Sequence, residues 1–423
     1  MSLQVVNHLK AFFAGISVFM ANDYRRRCSM LSALLNQKVI TTIHYSREEL
    51  KEFKGKGRSF RCPHCSGEVN LRIGIKNVPH FAHFSDSDCD IYRQESPRHL
   101  HSKQLLYERL SFLYNDVQVE HYINELKQIA DLYVKTESQE IAMEIQCSTI
   151  PISDLISRTQ GYHKRHITPF WILTQEVKHK ELLSLSSFQQ AFIRYSPQLH
   201  YFLLHFLPEK RSFQLFTHLI PTSTSAFICS YPIPIPIDQL TLPLFIPHFA
   251  VNHPYRLEKW NQYRTKWIYN KLQYYKAKQD SFLRAVYEEG DTLLYLPLFV
   301  GLPVIPHSIH IKNHVVEWQY YIWMDYLKKN LFFTEEEVIR VVNRRIDRGD
   351  IELRSLPFIE VDEVIKRNVS GYLDLLEEFN VVERKRCGEY SVSVPWKCPD
   401  SFPEFELHQH ELISKWKHIL KKV

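Results

Sequence analysis

EHYINELKQIADLYVKTESQEIAMEIQCSTIPISDLISRTQGY, residues 120–162, is the stretch that decides the predicted fold. In the run 141–147, large apolar residues alternate with small or polar ones, and a period of two places Glu144 and Gln146 on one face of a strand. The preceding run, IADLYV, places Asp131 between apolar neighbours in the same way. An acid on each of two neighbouring strands, with a polar residue two positions after the second acid, can hold a divalent cation. This pattern predicts chemistry at these strands.

The composition is that of an ordinary globular protein. The chain has 423 residues, which predicts two or three domains, and its 44% hydrophobic and 24% charged residues are typical of such proteins. A net charge of +6 permits nucleic-acid binding without requiring it. Of eight cysteines, Cys62, Cys65 and Cys89 cluster and five are scattered, which is not a disulfide framework. We therefore expect a reducing, cytoplasmic location.

The N-terminal residues contain one apolar run, AFFAGISVFMA at 11–21, which is far shorter than the roughly 20 residues that span a bilayer. YRRRC follows it instead of a small-residue cleavage site, so the run makes a poor signal peptide. We predict no membrane span. Residues 1–29 are interpreted as an N-terminal extension, with Met30 as an alternative start.

A cluster of soft ligands follows in the segment 30–94, which we predict to be a zinc-binding β element. Cys62 and Cys65 form a C-x-x-C knuckle whose thiolates can share one Zn²⁺. His80, His83 and Cys89 lie further along, so the segment offers more ligands than one tetrahedral site needs. We predict a structural zinc site of Cys62, Cys65, His83 and either Cys89 or His80. The alternative is a set of core histidines and free thiols.

Two predicted helices flank the opening stretch. The helix from residue 98 to about 113 places His101 and Lys103 off its apolar stripe, from where they could approach the acids; the alternative is a solvated face. The helix after Pro151 places Arg158 and Tyr162 four residues apart and hence side by side. A guanidinium beside a hydroxyl suits a phosphate, although an arginine packed on an aromatic ring gives the same pattern.

The order strand, strand, helix, strand predicts a mixed sheet. A right-handed crossover would bring the strand 169–174 parallel to the Glu144 strand. A hairpin follows, and then a proline-dense region, 221–254, which we predict to be an extended connector because alternate prolines cannot join a central ladder.

Residues 255–423 predict a mostly helical C-terminal domain. Its first segment, 257–289, mixes aromatic with basic residues, which suits a packed core or, alternatively, stacking against single-stranded nucleic acid. A helix, a short strand, a basic turn and an alternating strand near its end are typical of a winged helix. The turn could contact DNA phosphates through Arg384, Lys385 and Arg386.

The central acids suggest a reaction. If Asp131, Glu144 and the Ile145 carbonyl bind Mg²⁺ or Mn²⁺, the cation can lower the pKa of a water molecule and offset charge on a phosphodiester. Gln146 would point into the same site and could orient the water. Because Gln146 is neutral, His101 or Lys103 would have to supply the positive charge.

Several motifs together resemble one family. CPHC with HFAH, ESPRHLHSKQLLYERL, ADLYV, AMEIQCSTI, RTQGY and PFWIL occur in the order and spacing of the competence protein CoiA family, over roughly residues 30–220. The resemblance implies a role in natural transformation and recombination of incoming single-stranded DNA. It also implies that residues 95–220 form an α/β (α+β) domain of the PD-(D/E)xK restriction-endonuclease-like fold, with ExQ in place of ExK.

The resemblance carries over to individual residues. It implies that Asp131, Glu144 and Gln146 match the nuclease motif. Accompanying family positions are matched by His101, Lys103, Ser148, Arg158 and Tyr162. Ile129 stands where the resemblance leads us to expect an arginine.

Three functions are therefore weighed. The first is a metal-dependent nuclease that acts on single-stranded or branched DNA together with recombination or competence proteins. The second is a DNA-binding recombination accessory that keeps the fold without cutting. The third is a zinc-stabilised interaction scaffold that does not bind DNA.

Overall fold

The computed structural model describes residues 29–84, 89, 95–243, 257–274, 279–304, 307–360, 362–385 and 388–419, with the backbone alone for 257–259 and 416–419. The predicted N-terminal extension, except for Ser29, lies outside these residues, as does Arg386 of the basic turn. Within the described residues, no helix is both long enough and apolar enough to cross a membrane.

The N-terminal part is a six-stranded sheet with one helix, α1 (Arg47–Gly55). Helix α1 begins directly after Ser46, because Ser46 and Glu49 form a capping box. Its buried Leu50 packs with Phe60, Val69 and Phe81 of the sheet. The strands are β1 Ser29–Met30, β2 Ser32–Leu35, β3 Lys38–Thr41, β4 Phe60–Arg61, β5 Glu68–Arg72 and β6 His80–His83, in the spatial order β1-β6-β5-β4-β2-β3.

The central part is built on a mixed sheet with the spatial order β18-β15-β14-β10-β9-β8-β7. Its helices and sheet strands are α2 Pro97–Leu113, β7 Asp116–Ile123, β8 Gln128–Lys135, β9 Glu140–Gln146, α3 Ile152–Lys164, β10 Ile167–Leu173, β14 His200–Leu207, β15 Ser212–Phe216 and β18 Ile233–Pro236. Strands β9 and β10 are parallel, from Glu140 opposite Ile167 to Gln146 opposite Leu173, which confirms the predicted mixed sheet and crossover.

The two long helices cover opposite faces of this sheet. Leu106 and Leu110 of α2 pack with Met143 of β9, whereas Tyr162 of α3 packs with Ala142. Because successive strand residues point to opposite faces, α2 and α3 lie on different sides. Side chains of each helix can therefore approach the acids of β8 and β9 from its own side of the sheet.

Shorter elements follow the crossover. They are β11 Lys178–His179, β12 Leu183–Ser184, α4 Ser187–Gln190, β13 Arg194–Ser196, β16 Ile220–Pro221 and β17 Ala226–Ile228. The prediction that the proline-dense region is an extended connector is wrong up to residue 243, because this part packs onto the central sheet. Strand β18 pairs with β15, and the hydroxyl of Tyr114 donates to the Leu242 carbonyl at 2.8 Å. Proline lacks an N–H, so this strand fits the edge of the sheet that it occupies.

The C-terminal part is mostly helical, as predicted. Its elements are α5 Leu257–Gln273, α6 Ser281–Glu288, α7 Val315–Ile322 (extended by a π-helical turn, Trp323–Leu327), β19 Phe332–Thr334, α8 Glu335–Asp347, α9 Val364–Glu378, β20 Val382–Arg384, β21 Glu389–Val392 and α10 Phe402–Ile419. Trp260 is buried and Trp267 packs against the same core, so these aromatic rings of α5 belong to the core. Tyr275 lies outside the described residues.

The end of this part has the predicted order of helix, strand, turn and strand. Strands β19, β21 and β20 form a three-stranded antiparallel sheet beside α8 and α9. Arg384 pairs with Asp374 at 2.6 Å and Lys385 with Glu383 at 2.6 Å. A DNA contact through this turn stays a prediction.

Candidate active site

Asp131 lies where strands β8 and β9 separate. The last paired residues are Leu132 and Met143, and the next position along β8 is Asp131. At this point the Asp131 carboxylate takes the place of a backbone carbonyl, because its Oδ2 accepts a hydrogen bond from the Ile145 N–H at 2.8 Å. This bond fixes the carboxylate beside the end of β9.

Glu120 faces Asp131 from the neighbouring strand β7. The flanking pairs are Val119 with Leu132 and His121 with Ala130, so Glu120 is opposite Asp131 in the register. Glu120 has a positive φ of 54°, which is uncommon for a residue other than glycine. Its buried carboxylate accepts the backbone N–H groups of Leu31 (2.9 Å) and Ser32 (3.1 Å), and so ties the N-terminal sheet to the central one.

Lys103 of α2 joins the acids. Its side chain is 1% exposed, and its Nζ lies 2.6 Å from Glu95, 3.0 Å from Glu120 and 3.1 Å from Asp131. Burial acts to lower the pKa of Lys103, but the three carboxylates outweigh burial and hold the pKa well above its usual value. Lys103 is therefore a permanent cation inside this group.

His99 is the second cation of the group. Its Nε2 donates to Asp131 Oδ1 at 3.1 Å and lies 3.7 Å from Glu95. Burial acts to lower the pKa of His99, whereas Asp131 and Glu95 raise it, and the result is a pKa well above the usual value. The same cations hold the pKa of Asp131 below its usual range against the opposing effect of burial. His99 is thus protonated and Asp131 ionised at neutral pH.

His101 does not join this group. It lies two residues from both His99 and Lys103, about 200° around the helix, and the structure shows no hydrogen bond or ion pair between His101 and either predicted acid. Lys103 is placed as predicted, beside Asp131. The role of His101 as a supplier of charge stays a prediction without a contact to support it.

Sequence reasoning missed Glu95, His99 and Glu120. A signal for His99 was present, because His99 and Lys103 are four residues apart and so share one side of α2, whereas Glu95 precedes the N-cap Ser96 and has no such signal. Glu120 has no comparable local signal, since its position depends on the pairing of β7 with β8.

Glu144 faces α3 and is held there. It is 3% exposed, and its Oε1 accepts from Arg158 Nη2 at 2.5 Å and from the Tyr162 hydroxyl. Burial raises the pKa of Glu144 to about 7, and Arg158 opposes this rise. Arg158 and Tyr162 are neighbours on one helix face, as predicted, and both side chains bind Glu144.

Arg158 also contacts the backbone of Ile129, the residue that stands where the family resemblance leads us to expect an arginine. Its Nη2 donates to the carbonyl of Ile129 at 2.8 Å, and its guanidinium carbon lies 5.7 Å from the centroid of the Trp171 ring. Phosphate binding by Arg158 and Tyr162 stays a prediction. A phosphate would have to compete with Glu144 for both donors.

Gln146 and Ser148 lie at the exposed end of β9. The Gln146 Nε2 donates to the Ser148 carbonyl at 2.6 Å. This bond turns the amide towards its own chain. The predicted orientation of a water molecule by Gln146 would require the amide to leave this bond.

A divalent cation has two possible positions among the acids. Ligand atoms of Glu95, His99 and Asp131 lie within 4.8 Å of one another and could hold a metal, and Glu144 is not part of this group. Two carboxylates suit Mg²⁺ or Mn²⁺. Glu95 Oε1 and Asp131 Oδ1 already bind Lys103, so a metal at these atoms would compete with its ammonium group. The predicted pair, Asp131 with Glu144, stays a prediction.

The N-terminal sheet brings together a separate metal-binding group. Ligand atoms of Cys62, Cys65, His83 and Cys89 all lie within 4.8 Å of one another, and Cys65 Sγ is 3.3 Å from His83 Nε2. His80 is not among the residues whose ligand atoms lie within this distance of one another. Of the two alternatives for the fourth ligand, the geometry selects Cys89.

This group fits zinc in number and type of ligand. Three thiols and one imidazole are a common tetrahedral set, and the closest sulfur and nitrogen atoms are near the roughly 3.5 Å expected for two ligands of one zinc ion. Burial raises the pKa of the Cys62 thiol to about 12, so a cation would be needed to stabilise its thiolate. With four protein ligands the site would be closed and structural.

Three family models match the chain in succession. They describe the N-terminal domain (residues 42–92), the nuclease-like domain (residues 95–248) and the C-terminal domain (residues 256–402) of competence protein CoiA. The chain belongs to the competence protein CoiA family. A protein of Bacillus subtilis strain 168 named "Competence protein CoiA" is 29% identical over 335 residues, which cover 76% of this chain and 87% of that protein.

The family match confirms the predicted resemblance and relates it to the two sites. The match to the CoiA nuclease-like domain begins at Glu95, so it contains Lys103, Glu120, Asp131 and Glu144. The four cysteine and histidine ligands lie inside the match to the CoiA N-terminal domain. The mixed sheet with its nuclease-like domain and the helical C-terminal part agree with the predicted fold class.

Proposed function

We propose that the protein is a cytoplasmic, metal-dependent DNA nuclease of the PD-(D/E)xK type that acts in competence and recombination. The proposed substrates are single-stranded or branched DNA, and the proposed partners are other competence or recombination proteins. Membership of the CoiA family supports the competence role.

The observation that carries the proposal is the environment of Asp131 in the nuclease-like domain. An ionised carboxylate is fixed at the end of two separating strands, next to Glu95, with Lys103 and His99 as cations at hydrogen-bond distance. Such a mixture of acids and cations in one place can bind a phosphodiester and the cation that accompanies it.

The chain's own residues have distinct roles in this proposal. Asp131, with either Glu95 or Glu144, would hold Mg²⁺ or Mn²⁺, which would supply a water molecule of lowered pKa and offset phosphate charge. Lys103 provides the fixed positive charge that Gln146 lacks. His99 holds a proton on Nε2 beside Asp131, where a leaving oxygen could receive it.

The test is a cleavage assay with purified protein. Single-stranded, duplex and branched DNA are incubated with Mg²⁺ or Mn²⁺, and we expect wild type to cleave at least one substrate and Asp131→Asn to fall to background. Asp238→Asn, an exposed acid of the same domain, is the matched control and should cleave like wild type. Cleavage by wild type and Asp131→Asn at equal rates, or by neither, would end the catalytic proposal.

A second candidate is a DNA-binding recombination accessory without catalysis. It is favoured by the internal pairing of Glu144 with Arg158 and by the position of Lys103 between Glu95 and Asp131. Salt-sensitive DNA binding that persists in Glu144→Gln, with no cleavage of any substrate, would select this function. The complete absence of DNA binding would instead favour the zinc-stabilised interaction scaffold.

A further inference from the structure

The positive charge of the chain is concentrated in the N-terminal sheet. Residues 29–84 contain nine lysines and arginines against four glutamates and no aspartate, which is a net charge of +5 out of +6 for the whole chain. Residues 95–243, which contain the candidate active site, have thirteen basic and fourteen acidic residues. The nuclease-like domain therefore has no net positive charge of its own with which to attract a polyanion.

Part of this charge is arranged along helix α1. Arg47, Lys51 and Lys54 are spaced at i, i+4 and i+7, so they lie on one face of the helix. Leu50, on another face, is buried, and Phe53 packs against the core. Lys51 and Lys54 are exposed, and within the described residues neither has an acidic partner.

The loop after β5 extends this cationic face. The Arg47 guanidinium donates to the carbonyl of Gly74 and, at 3.0 Å, to that of Asn77. These bonds hold the loop 74–77 beside α1, with Lys76 exposed on it. We call Arg47, Lys51, Lys54 and Lys76 the basic face. The helix and the loop thus bring four basic residues to one part of the surface, where they can attract an anion.

The spacing of the basic face suits a nucleic-acid backbone. Arg47 and Lys54 are about 10 Å apart along the helix axis, from a rise of roughly 1.5 Å per residue. One DNA strand advances by about 3.4 Å per phosphate, so the helix alone spans about three phosphates. An anionic membrane is less well matched, because the apolar residues of α1 face the core and Ile75, 97% exposed, is the one large apolar side chain of the loop.

We propose that the basic face of the N-terminal domain binds the phosphate backbone of DNA. The domain is joined to the candidate active site, because Glu120 accepts from the Leu31 and Ser32 amides and also binds Lys103. DNA bound to the N-terminal domain would thus be held by a part of the chain that is hydrogen-bonded to the group around Asp131. This inference shares with the proposed function the claim that the chain binds DNA, and it is independent of the claim that the chain cleaves DNA.

The test measures binding separately from cleavage. Fluorescence anisotropy with single-stranded and duplex oligonucleotides is performed without divalent cations, in an Asp131→Asn background. The basic-face variant combines Lys51→Gln, Lys54→Gln and Lys76→Gln, which change exposed side chains and preserve helix propensity. Circular dichroism melting checks that the fold is retained.

We expect the basic-face variant to bind DNA more weakly and with less dependence on salt. Each lost phosphate contact should lower the slope of log K against log salt by about 0.9 for duplex and about 0.7 for single strands. Near 0.1 M salt this corresponds to roughly fivefold to tenfold in affinity for each contact.

The matched control removes the same charge elsewhere. Lys178→Gln, Lys180→Gln and Lys329→Gln change exposed lysines outside the N-terminal domain. This control should leave the salt slope the same as in wild type, because no phosphate contact is lost. Equal losses in both variants, unchanged DNA binding by the basic-face variant, or loss of binding to anionic phospholipid vesicles with DNA binding intact would each overturn the proposal.

Discussion

Replacing Lys103 with methionine should destabilise the central domain and make it respond to divalent cations. Methionine preserves the length and apolar body of the side chain but removes the ammonium group that Glu95, Glu120 and Asp131 share. In the variant, three carboxylates meet in a buried space with His99 as the remaining cation. A buried charge that has lost its partner is costly, because neither water nor another group compensates for it.

The magnitude follows from the number and burial of the contacts. The ammonium is 1% exposed and lies within about 3 Å of all three acids. Removing one partner of a buried ion pair typically costs about 3–5 kcal/mol, and we expect Lys103→Met to lie in this range. That is a large fraction of the roughly 5–15 kcal/mol that holds a domain folded.

The stability that Lys103→Met loses should depend on pH and on the presence of a divalent metal. In the wild type the pKa of Asp131 is lowered, so its contribution to stability is present above the unfolded pKa and is lost as the pH falls. Without Lys103 the folded-state pKa values of Asp131 and Glu95 should rise, so the variant should gain stability as the pH falls from 8 to 5. Mn²⁺ should restore stability by binding the carboxylates of Glu95 and Asp131 without competition from the ammonium.

Urea denaturation measures the free energy of unfolding, and hydrogen exchange of peptides from residues 95–146 locates the change. The matched control is Lys135→Met on β8, which breaks an exposed pair with Glu140 at 3.5 Å and should cost at most about 1 kcal/mol. Equal stability of Lys103→Met and Lys135→Met, without an effect of Mn²⁺, would refute the reasoning about the buried acids.

Three further predictions concern the neighbouring residues and the zinc site. Cys62→Ser should lose the roughly one zinc ion per chain that we expect by metal analysis, and His80→Ala should retain it; folded wild-type protein without zinc would contradict this. Tyr162→Phe should lower the free energy of unfolding by about 1–3 kcal/mol. This loss should be larger at pH 8 than at pH 6, because the lost hydroxyl stabilises the ionised form of Glu144, whose pKa is about 7; equal losses at both pH values would count against it. Glu120→Gln should speed hydrogen exchange at Leu31 and Ser32, which lose a charged acceptor, and unchanged exchange there would show that Glu120 does not hold the N-terminal sheet.

The strand–strand–helix–strand core could be predicted because its signals are local. The alternation from Ile141 to Gln146 and the apolar run of β10 both predict strands. The helix between them predicts a crossover connection, which makes the two strands parallel. The alternation also determines the face of β9 on which Glu144 lies, which is the face covered by α3. Its partners, Arg158 and Tyr162, were identified by their spacing of four, but the sequence does not contain the information that they bind Glu144 itself.

The group around Asp131 could be predicted only in part, because it depends on pairing between distant segments. Glu120 reaches Lys103 through the register of β7 with β8 and a backbone conformation that its sequence does not favour. A helix of about 3.6 residues per turn aligns His99, and not the predicted His101, with Lys103. The choice between Cys89 and His80 likewise depends on which ligand atoms the fold brings together.

The position of Lys103 bears on both proposed functions, the metal-dependent nuclease and the non-catalytic accessory. Its ammonium neutralises Glu95 and Asp131 in the absence of metal, so the fold is stable without a cation, as an accessory would require. A metal that binds these acids must overcome that neutralisation, whereas a phosphodiester arriving with its cation would bring negative charge for Lys103 to bind instead. On this basis metal should bind more tightly when DNA is present than when it is absent. Titration of Mn²⁺ into Asp131→Asn and wild-type protein, with and without a phosphorothioate oligonucleotide, measures this coupling, and equal affinities in wild type with and without DNA would favour the accessory.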